Sequence, residues 1–309
     1  MRIAVMGTGA VGGYFGAKLA AAGHEVAFLA RGKPLDAMRR AGLRISSTDG
    51  DLHITDAVFS ASPADVGIVD LILFCVKSYD TEAAAQSLGA MVGRHTTILS
   101  LQNGIDNPAR IARLWGEQRT LAGVVYIGAQ GASPGVIIHS AGGKIIFGQL
   151  EKKADDSAQA VERLLSQAGI ACELSSSIQK VQWSKLLWNA PFCAISCLTR
   201  ADVKQIVESD ALTKLALDCM AEVQAAARSR GVDLPRGLFD ETIAFSRGLG
   251  AFKPSMLQDL TARKPLEYEA FNGIVTNILQ QAGHAAPINQ TFYALLQHLD
   301  NQLREEAAR

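Results

Sequence analysis

Arg2-Ile3-Ala4-Val5-Met6-Gly7-Thr8-Gly9-Ala10-Val11-Gly12-Gly13 stands at the very start of the chain, and its reading decides the fold. A short apolar run ends at Met6, and the glycines at 7, 9 and 12 follow the spacing G-x-G-x-x-G. Behind them a helical stretch runs from Gly12 to Ala22, stops at Gly23, and gives way to the β-rich run Glu25 to Leu29. Strand, glycine turn, helix and strand make one βαβ unit. In such a unit the first glycine makes the tight turn, the second lets backbone approach a pyrophosphate, and the third lets helix and strand pack closely. The unpaired N–H groups opening the helix then face the phosphates. Glycine patterns are common, and a ligand-free strand-to-helix turn is the plainer alternative. The flanking elements favour a dinucleotide, cradled by Gly7, Thr8, Gly9, Ala10, Val11 and Gly12.

Twenty residues on, an NAD site usually carries Asp or Glu for the ribose 2′-hydroxyl. This chain has Leu29-Ala30-Arg31-Gly32 there instead. The Arg31 guanidinium offers a charged fork to a 2′-phosphate, so NADP (NADPH) is expected rather than NAD. A solvated loop cation is the less favoured alternative for Arg31.

The βαβ rhythm continues through Leu71-Val76 and Thr97-Leu101. After Thr120 it changes to Gly123-Ala129, Gly135-His139 and Lys144-Gly148, separated by turn residues, which predicts antiparallel strands at the sheet's edge. From about Ser177 apolar residues recur at helical spacing, as in Leu212, Leu215, Leu217, Met220, Val223 and Ala227. Further helices are expected over 239–245, 267–281 and 289–303, divided by prolines. The expected architecture is an α/β Rossmann-type dinucleotide-binding domain over residues 1–175 and an all-α domain over residues 176–309. Arg304-Glu305-Glu306 reads as a solvated helix end.

Bulk composition narrows the partners. With 30 basic and 30 acidic residues among 309, the chain has no long-range field to gather nucleic acid or an anionic membrane surface. No run reaches the length of a membrane span, and nothing before Gly7 resembles a secretion signal, so a cytoplasmic protein is expected. Five cysteines at irregular spacing, with no zinc-type partners after Cys193 and Cys197, read as buried thiols, and no metal site is expected. A helix-rich second half is also a module that pairs through apolar faces, so a homodimer is an open expectation.

The stretch Val181-Gln182-Trp183-Ser184-Lys185-Leu186-Leu187-Trp188-Asn189 carries the chemistry. Lys185 and Asn189 are four apart and share a helix face among apolar neighbours. An ammonium so placed loses solvation, which brings its pKa toward the range of proton transfer. A lysine snorkelling from an amphipathic helix is the bland alternative.

Together the glycine loop, Val76-Lys77, Gln102-Asn103-Gly104, Lys185 to Asn189, and Ser255-Met256-Leu257-Gln258-Asp259 followed by Glu267 resemble the ketopantoate reductase (2-dehydropantoate 2-reductase) family, in order and over nearly the whole chain. The resemblance implies NADPH-dependent reduction of ketopantoate, a small 2-oxo acid, to pantoate. It makes Lys185 the general acid, puts Asn103 between nicotinamide ribose and substrate, and gives Asn189 and Ser255 to the substrate. Glu267 would bond the cofactor near its nicotinamide end and orient Lys185, while Lys77 and Ala129 would line the cofactor cleft. Taken singly, Lys77 and Glu267 would pass for surface charge, and Asn103 and Ser255 for turn or cap residues.

One position departs from the family, whose members commonly show a second asparagine four residues after the first. Here that place is Cys193, a weaker hydrogen-bonding group, and Pro191 two residues earlier is expected to distort the turn. The reaction type is therefore better defined than the substrate. A β-hydroxyacid dehydrogenase with the same two-domain plan, and a non-catalytic NADP-binding protein, are the competing readings.

Overall fold

The computed structural model describes residues 1–150 and 156–307. The chain divides into two compact units, Met1–Ile178 and Gln179–Arg309.

In the first unit the elements run β1 (Arg2–Met6), α1 (Ala10–Ala21), β2 (Glu25–Leu29), α2 (Gly32–Ala41), β3 (Leu43–Ser47), β4 (Leu52–Ile54), β5 (Val58–Ser60) and β6 (Val69–Phe74). They continue with α3 (Thr81–Gln86), β7 (Val92–Ser100), α4 (Asn107–Trp115), β8 (Thr120–Ser133), β9 (Val136–Gln149), α5 (Asp156–Gln167) and β10 (Cys172–Leu174). One sheet takes them all, in the order β4-β3-β9-β8-β7-β6-β1-β2-β5, with β10 added on β9. From β8 to β5 every neighbouring pair is parallel. Helices on both faces bury both sides of those strands, and alternate residues of β1 go to opposite cores. Ile3 and Val5 join α1 and α5 side chains on one face, and Ala4 and Met6 join Ala84, Ala85 and Ile111 on the other.

The expected antiparallel edge is corrected in two respects. The segments 135–139 and 144–148, apart from Gly135 in the turn, belong to a single strand, β9, which forms a long hairpin with β8. The register shifts near Gly142 and Gly143, whose φ of 77° and 111° suit only glycine, so a bulge looks in the sequence like a turn. The hairpin is also interior. Its outer strand pairs with β3 through Arg44↔Val136 to Ser47↔His139 and with β10 through Cys172↔Ile145 to Leu174↔Phe147, so short strands cover what would be an open edge.

The second unit contains no strand among the described residues, as the sequence predicts. It comprises α6 (Ile178–Thr199), α7 (Val203–Val207), α8 (Asp210–Ser229), α9 (Leu238–Gly248), α10 (Ser255–Thr261), α11 (Ile274–Gln281) and α12 (Pro287–Ala307), α6 starting one residue before the boundary. α8 packs against α7, α9, α11 and α12. α6 is buried on every side from Asn189 to Cys197 and continues as helix through Pro191 to Thr199.

Two helical expectations change at the C-terminal end. The helix foreseen from Glu267 starts later, with a π-type turn over Glu269–Gly273 leading into α11, and Glu267 lies ahead of it. Arg304 and Glu306 are more than a solvated end: Arg304 Nε lies 2.7 Å from Asp300 Oδ2, whose side chain is 1% exposed, and Glu306 pairs with Arg263. A buried carboxylate needs such a partner, and the charge pattern alone does not reveal it.

The approach of α1 to β1 sets a stiff steric condition on the first unit. A Cβ on Gly12 would stand 2.4 Å from the Gly7 carbonyl oxygen and 2.9 Å from Val5 Cγ1, and neither can withdraw without moving β1. Gly12→Ala is expected to lower stability by about 2 kcal/mol, read from urea unfolding of the two proteins. A change under about 0.5 kcal/mol would show that helix and strand separate freely.

Candidate active site

Four neighbouring parallel strands present the first group of candidate residues just beyond their carboxyl ends. In the spatial order β7, β6, β1, β2 these ends lead to Asn103, Lys77, the glycine turn and Arg31. The strand order reverses direction of growth around β1, which makes the crevice beyond β1 and β6 the switch point where ligands of such sheets bind. At roughly 4.8 Å per strand the row spans about 14 Å.

Within that row the three glycines have separate physical tasks. Gly7, with φ of 99°, makes the turn against Cys75 and Val76, where a Cβ would meet Val76 N at 2.7 Å. Gly12 permits the helix contact described above. A Cβ on Gly9 would meet nothing within 4 Å, so this position is open toward a ligand. Gly9 is the N-cap of α1 without a side-chain cap, and the first turn holds no acid, which leaves the helix's opening amides and dipole to an anion. Thr8 is turned the other way, its hydroxyl donating to the Leu29 carbonyl at 3.0 Å. Open space at Gly9, free amides and an absence of acids fit a pyrophosphate.

Arg31 is exposed at the N-cap of α2 and has no ion-pair partner among the described residues. Lys77 is half-buried at the turn after β6, and Asn103 is half-buried in the loop after β7. Ala129 lies on the part of β8 that runs past the end of β7, opposite His139 of β9.

In the second unit α6 carries Lys185, Asn189 and Cys193 at successive helical turns. Burial lowers the Lys185 ammonium from its usual 10.5 to about 8, while negative charge at Cys193 and Glu267 would pull the other way. Glu267 is 4% exposed, and the backbone just before it is fixed by a 2.8 Å bond from Leu266 N–H to the buried Asp300 Oδ1. Asn189 is buried, and Ser255 is the first residue of α10, after Pro254. The Cys193 thiol is pushed up to about 12 by burial, against hydrogen bonding from the Met256 amide and the Ser255 side chain. Lys185, Cys193, Ser255 and Glu267 thus share one electrostatic neighbourhood, assembled from three separate stretches of sequence.

Sequence reasoning passed over the residues that hold these groups. Asp300 reads as an ordinary helix-surface acid, and Thr81 and Asn107, which fix the loop of Asn103, read as helix starts. Among the described residues there is no group of three or more His, Cys, Asp or Glu able to hold a metal ion, and no helix long and apolar enough to cross a membrane.

A doubly wound sheet with an open glycine turn, together with a helical unit bearing a desolvated lysine, defines a class of two-domain nicotinamide-dependent oxidoreductases. The chain belongs to the ketopantoate reductase family: residues 3–152 match the family model described as ketopantoate reductase PanE/ApbA, and residues 177–300 match its C-terminal counterpart. A 2-dehydropantoate 2-reductase of Mesorhizobium japonicum is 29% identical over 97% of this chain and 98% of its own. The crystal structure of a PanE/ApbA family ketopantoate reductase from Ralstonia eutropha superposes with a TM-score of 0.91 at 30% identity, covering 98% of this chain and 100% of the other. The ternary structure of D-mandelate dehydrogenase with NADH and anilino(oxo)acetate has a TM-score of 0.90 at 20% identity, covering 98% and 99%, which shows a shared fold. The chain is an oxidoreductase acting on CH–OH groups, with a nicotinamide dinucleotide as cofactor.

Because the Glu267 carboxylate favours the ammonium form of Lys185, Glu267→Gln is expected to lower the Lys185 pKa further. The pH dependence of amine labelling at Lys185 reads this directly. A midpoint that stays put would mean that water screens the pair completely.

Proposed function

We propose that this protein reduces 2-dehydropantoate (ketopantoate) to pantoate with NADPH, a step of pantothenate biosynthesis. The observation that carries the proposal is the Lys185 ammonium, held near pKa 8 one helical turn from Asn189 and beside Glu267. A group with that pKa is largely protonated at neutral pH and still releases its proton readily. Family membership of both halves of the chain supports the same reading.

When bound, NADPH supplies the hydride. The glycine turn and the first amides of α1 hold the pyrophosphate, Arg31 takes the 2′-phosphate, and Lys77 and Ala129 line the cofactor's path. The Asn103 amide, able to donate and accept, serves the nicotinamide ribose and the substrate. Asn189 and Ser255 hydrogen-bond the 2-oxo acid, and Lys185 Nζ gives its proton to the carbonyl oxygen as that oxygen gains charge. Glu267 bonds near the nicotinamide end and keeps Nζ aimed. One observation favours a second substrate, another small 2-oxo acid: the thiol of Cys193 is already engaged by Ser255 and Met256.

NADPH oxidation by the purified protein across 2-oxo acids tests the proposal, with ketopantoate expected to give the highest kcat/KM. Lys185→Ala should lower kcat by about 100-fold or more with NADPH affinity nearly unchanged. In the unsubstituted protein kcat should fall as pH rises through about 8, because the acid form of Lys185 is then lost. Unchanged turnover in the variant would take Lys185 out of the reaction.

Arg31→Ala should weaken NADPH by about tenfold or more while changing NADH little, since a hydrogen bond to a charged group contributes about 1.5–3 kcal/mol. Equal weakening of the two coenzymes would point to a general loop defect.

A further inference from the structure

Beneath the loop that carries Asn103 runs a chain of buried hydrogen bonds in which every donor points the same way. Ser100 Oγ donates to Gln102 Oε1 at 3.1 Å, and Gln102 Nε2 donates to Thr81 Oγ1 at 2.7 Å. Thr81 Oγ1 donates to Asn107 Oδ1 at 2.9 Å, and Asn107 Nδ2 donates to the backbone carbonyl of Asn103 at 2.7 Å. Ser100, Gln102, Thr81 and Asn107 are all buried, at 0%, 8%, 0% and 0% exposure. Thr81 opens α3, beyond the turn after β6 that bears Lys77, and Asn107 opens α4, beyond the loop after β7. Arg110 braces the far side, with Nη1 3.0 Å from Asn107 Oδ1 and an ion pair to Glu82 of α3.

Such a chain has only one satisfactory arrangement. Thr81 has a single proton, and spending it on Asn107 leaves its lone pairs for Gln102. The Asn107 amide must then present its oxygen to Thr81 and Arg110 and its nitrogen to Asn103. Bonds aligned head to tail polarise one another, and a break leaves buried groups unpaired. A merely structural tie between α3 and α4 would be served by apolar packing; this one ends on the main chain of Asn103.

The geometry points to Thr81 and Asn107 as positioning residues for the nicotinamide end of the cofactor, acting through the backbone of Asn103 and coupling the loops after β6 and β7. The inference rests on the reading of Asn103 as a cofactor-site residue. The adenosine end, at the glycine turn and Arg31, lies on other strands and is outside the network.

The test compares two ligands on the full-length protein. NADPH spans the whole row, whereas 2′,5′-ADP reaches only the adenosine end and reports whether the first unit is intact. Thr81→Val, which keeps the shape and removes the hydroxyl, is expected to raise the Kd of NADPH by about three- to tenfold and leave that of 2′,5′-ADP within about twofold. Thr81→Ser should restore NADPH binding. Asn107→Asp, which puts an acceptor against the Asn103 carbonyl, should reproduce the loss and serves where Thr81→Val does not fold. Equal weakening of both ligands, or no change in either, overturns the inference. A protein that shows the split yet reduces no 2-oxo acid would refute the proposed reaction and leave this inference standing; one that binds no NADPH would end both.

Discussion

A missing methyl group governs the first unit. Because Gly12 has no side chain, α1 meets β1 at backbone distance, and a Cβ there would overlap the Gly7 carbonyl at 2.4 Å. The same closeness recurs along the helix, where a Cβ on Gly13 would stand 2.3 Å from Ile137 Cδ1 and one on Gly16 2.6 Å from Phe28 Cε1. Each glycine inside a helix costs about 1 kcal/mol relative to alanine. The fold accepts that cost and gains a helix lying flat across the sheet, its opening amides directly over the end of β1. Bulkier residues would favour the helix in isolation and lift those amides away from the crevice.

The second unit solves a different problem, keeping a charged nitrogen in poorly hydrated surroundings. A fall from 10.5 to about 8 means that the ammonium is disfavoured by roughly 3 kcal/mol relative to one in water, a cost that neighbouring packing must sustain. Buried polar bonds tie the helices of this unit together. Glu222 on α8 accepts from Ile288 N and Asn289 N at 2.8 Å each, which caps α12. Asn289 Oδ1 accepts from Asn272 Nδ2 at 2.9 Å, and the same nitrogen reaches the Ala190 carbonyl of α6 at 3.1 Å. Asn272 sits in the π-type turn, whose wider winding accommodates a side chain bonded to two other elements. The helix bearing Lys185 and the segment following Glu267 are thus joined by a single amide.

How much of this was legible in the sequence follows from the range of each interaction. The glycine turn, the strands at its flanks and the change to helices after residue 177 are local patterns of backbone propensity, and they read correctly. Strands β3, β4 and β10 are only three to five residues long and depend on their partners, β3 and β10 on β9 and β4 on β3, so nothing local marks them. Lys185 and Asn189 declared themselves by helical spacing, but the neighbourhood of Lys185 did not. Glu267, Ser255 and Cys193 come together through tertiary packing, and only the family resemblance singled out the first two. Asp300, Thr81 and Asn107 gave no signal at all, because a buried carboxylate and a donor chain look, residue by residue, like surface charge and helix starts.

Cys193 shows what that packing does to chemistry. Its thiol titrates near 12, so it stays neutral at any physiological pH and competes with Lys185 for no proton. An asparagine in this place would bring two donors and a strong acceptor; sulfur brings a weak acceptor, here engaged by Ser255 and the Met256 amide. In the proposed reaction the polar recognition of the 2-oxo acid therefore falls more heavily on Asn189 and Ser255. The proton transfer proposed for Lys185 rests first on its desolvation, which the exchange leaves in place. Discrimination between acids that differ in a distant hydroxyl is not, since a site rejects an analogue strongly only when the analogue leaves a buried partner unpaired. In the proposed reaction catalytic competence rests on Lys185 and substrate selectivity on Asn189, Cys193 and Ser255, so the second can change without loss of the first.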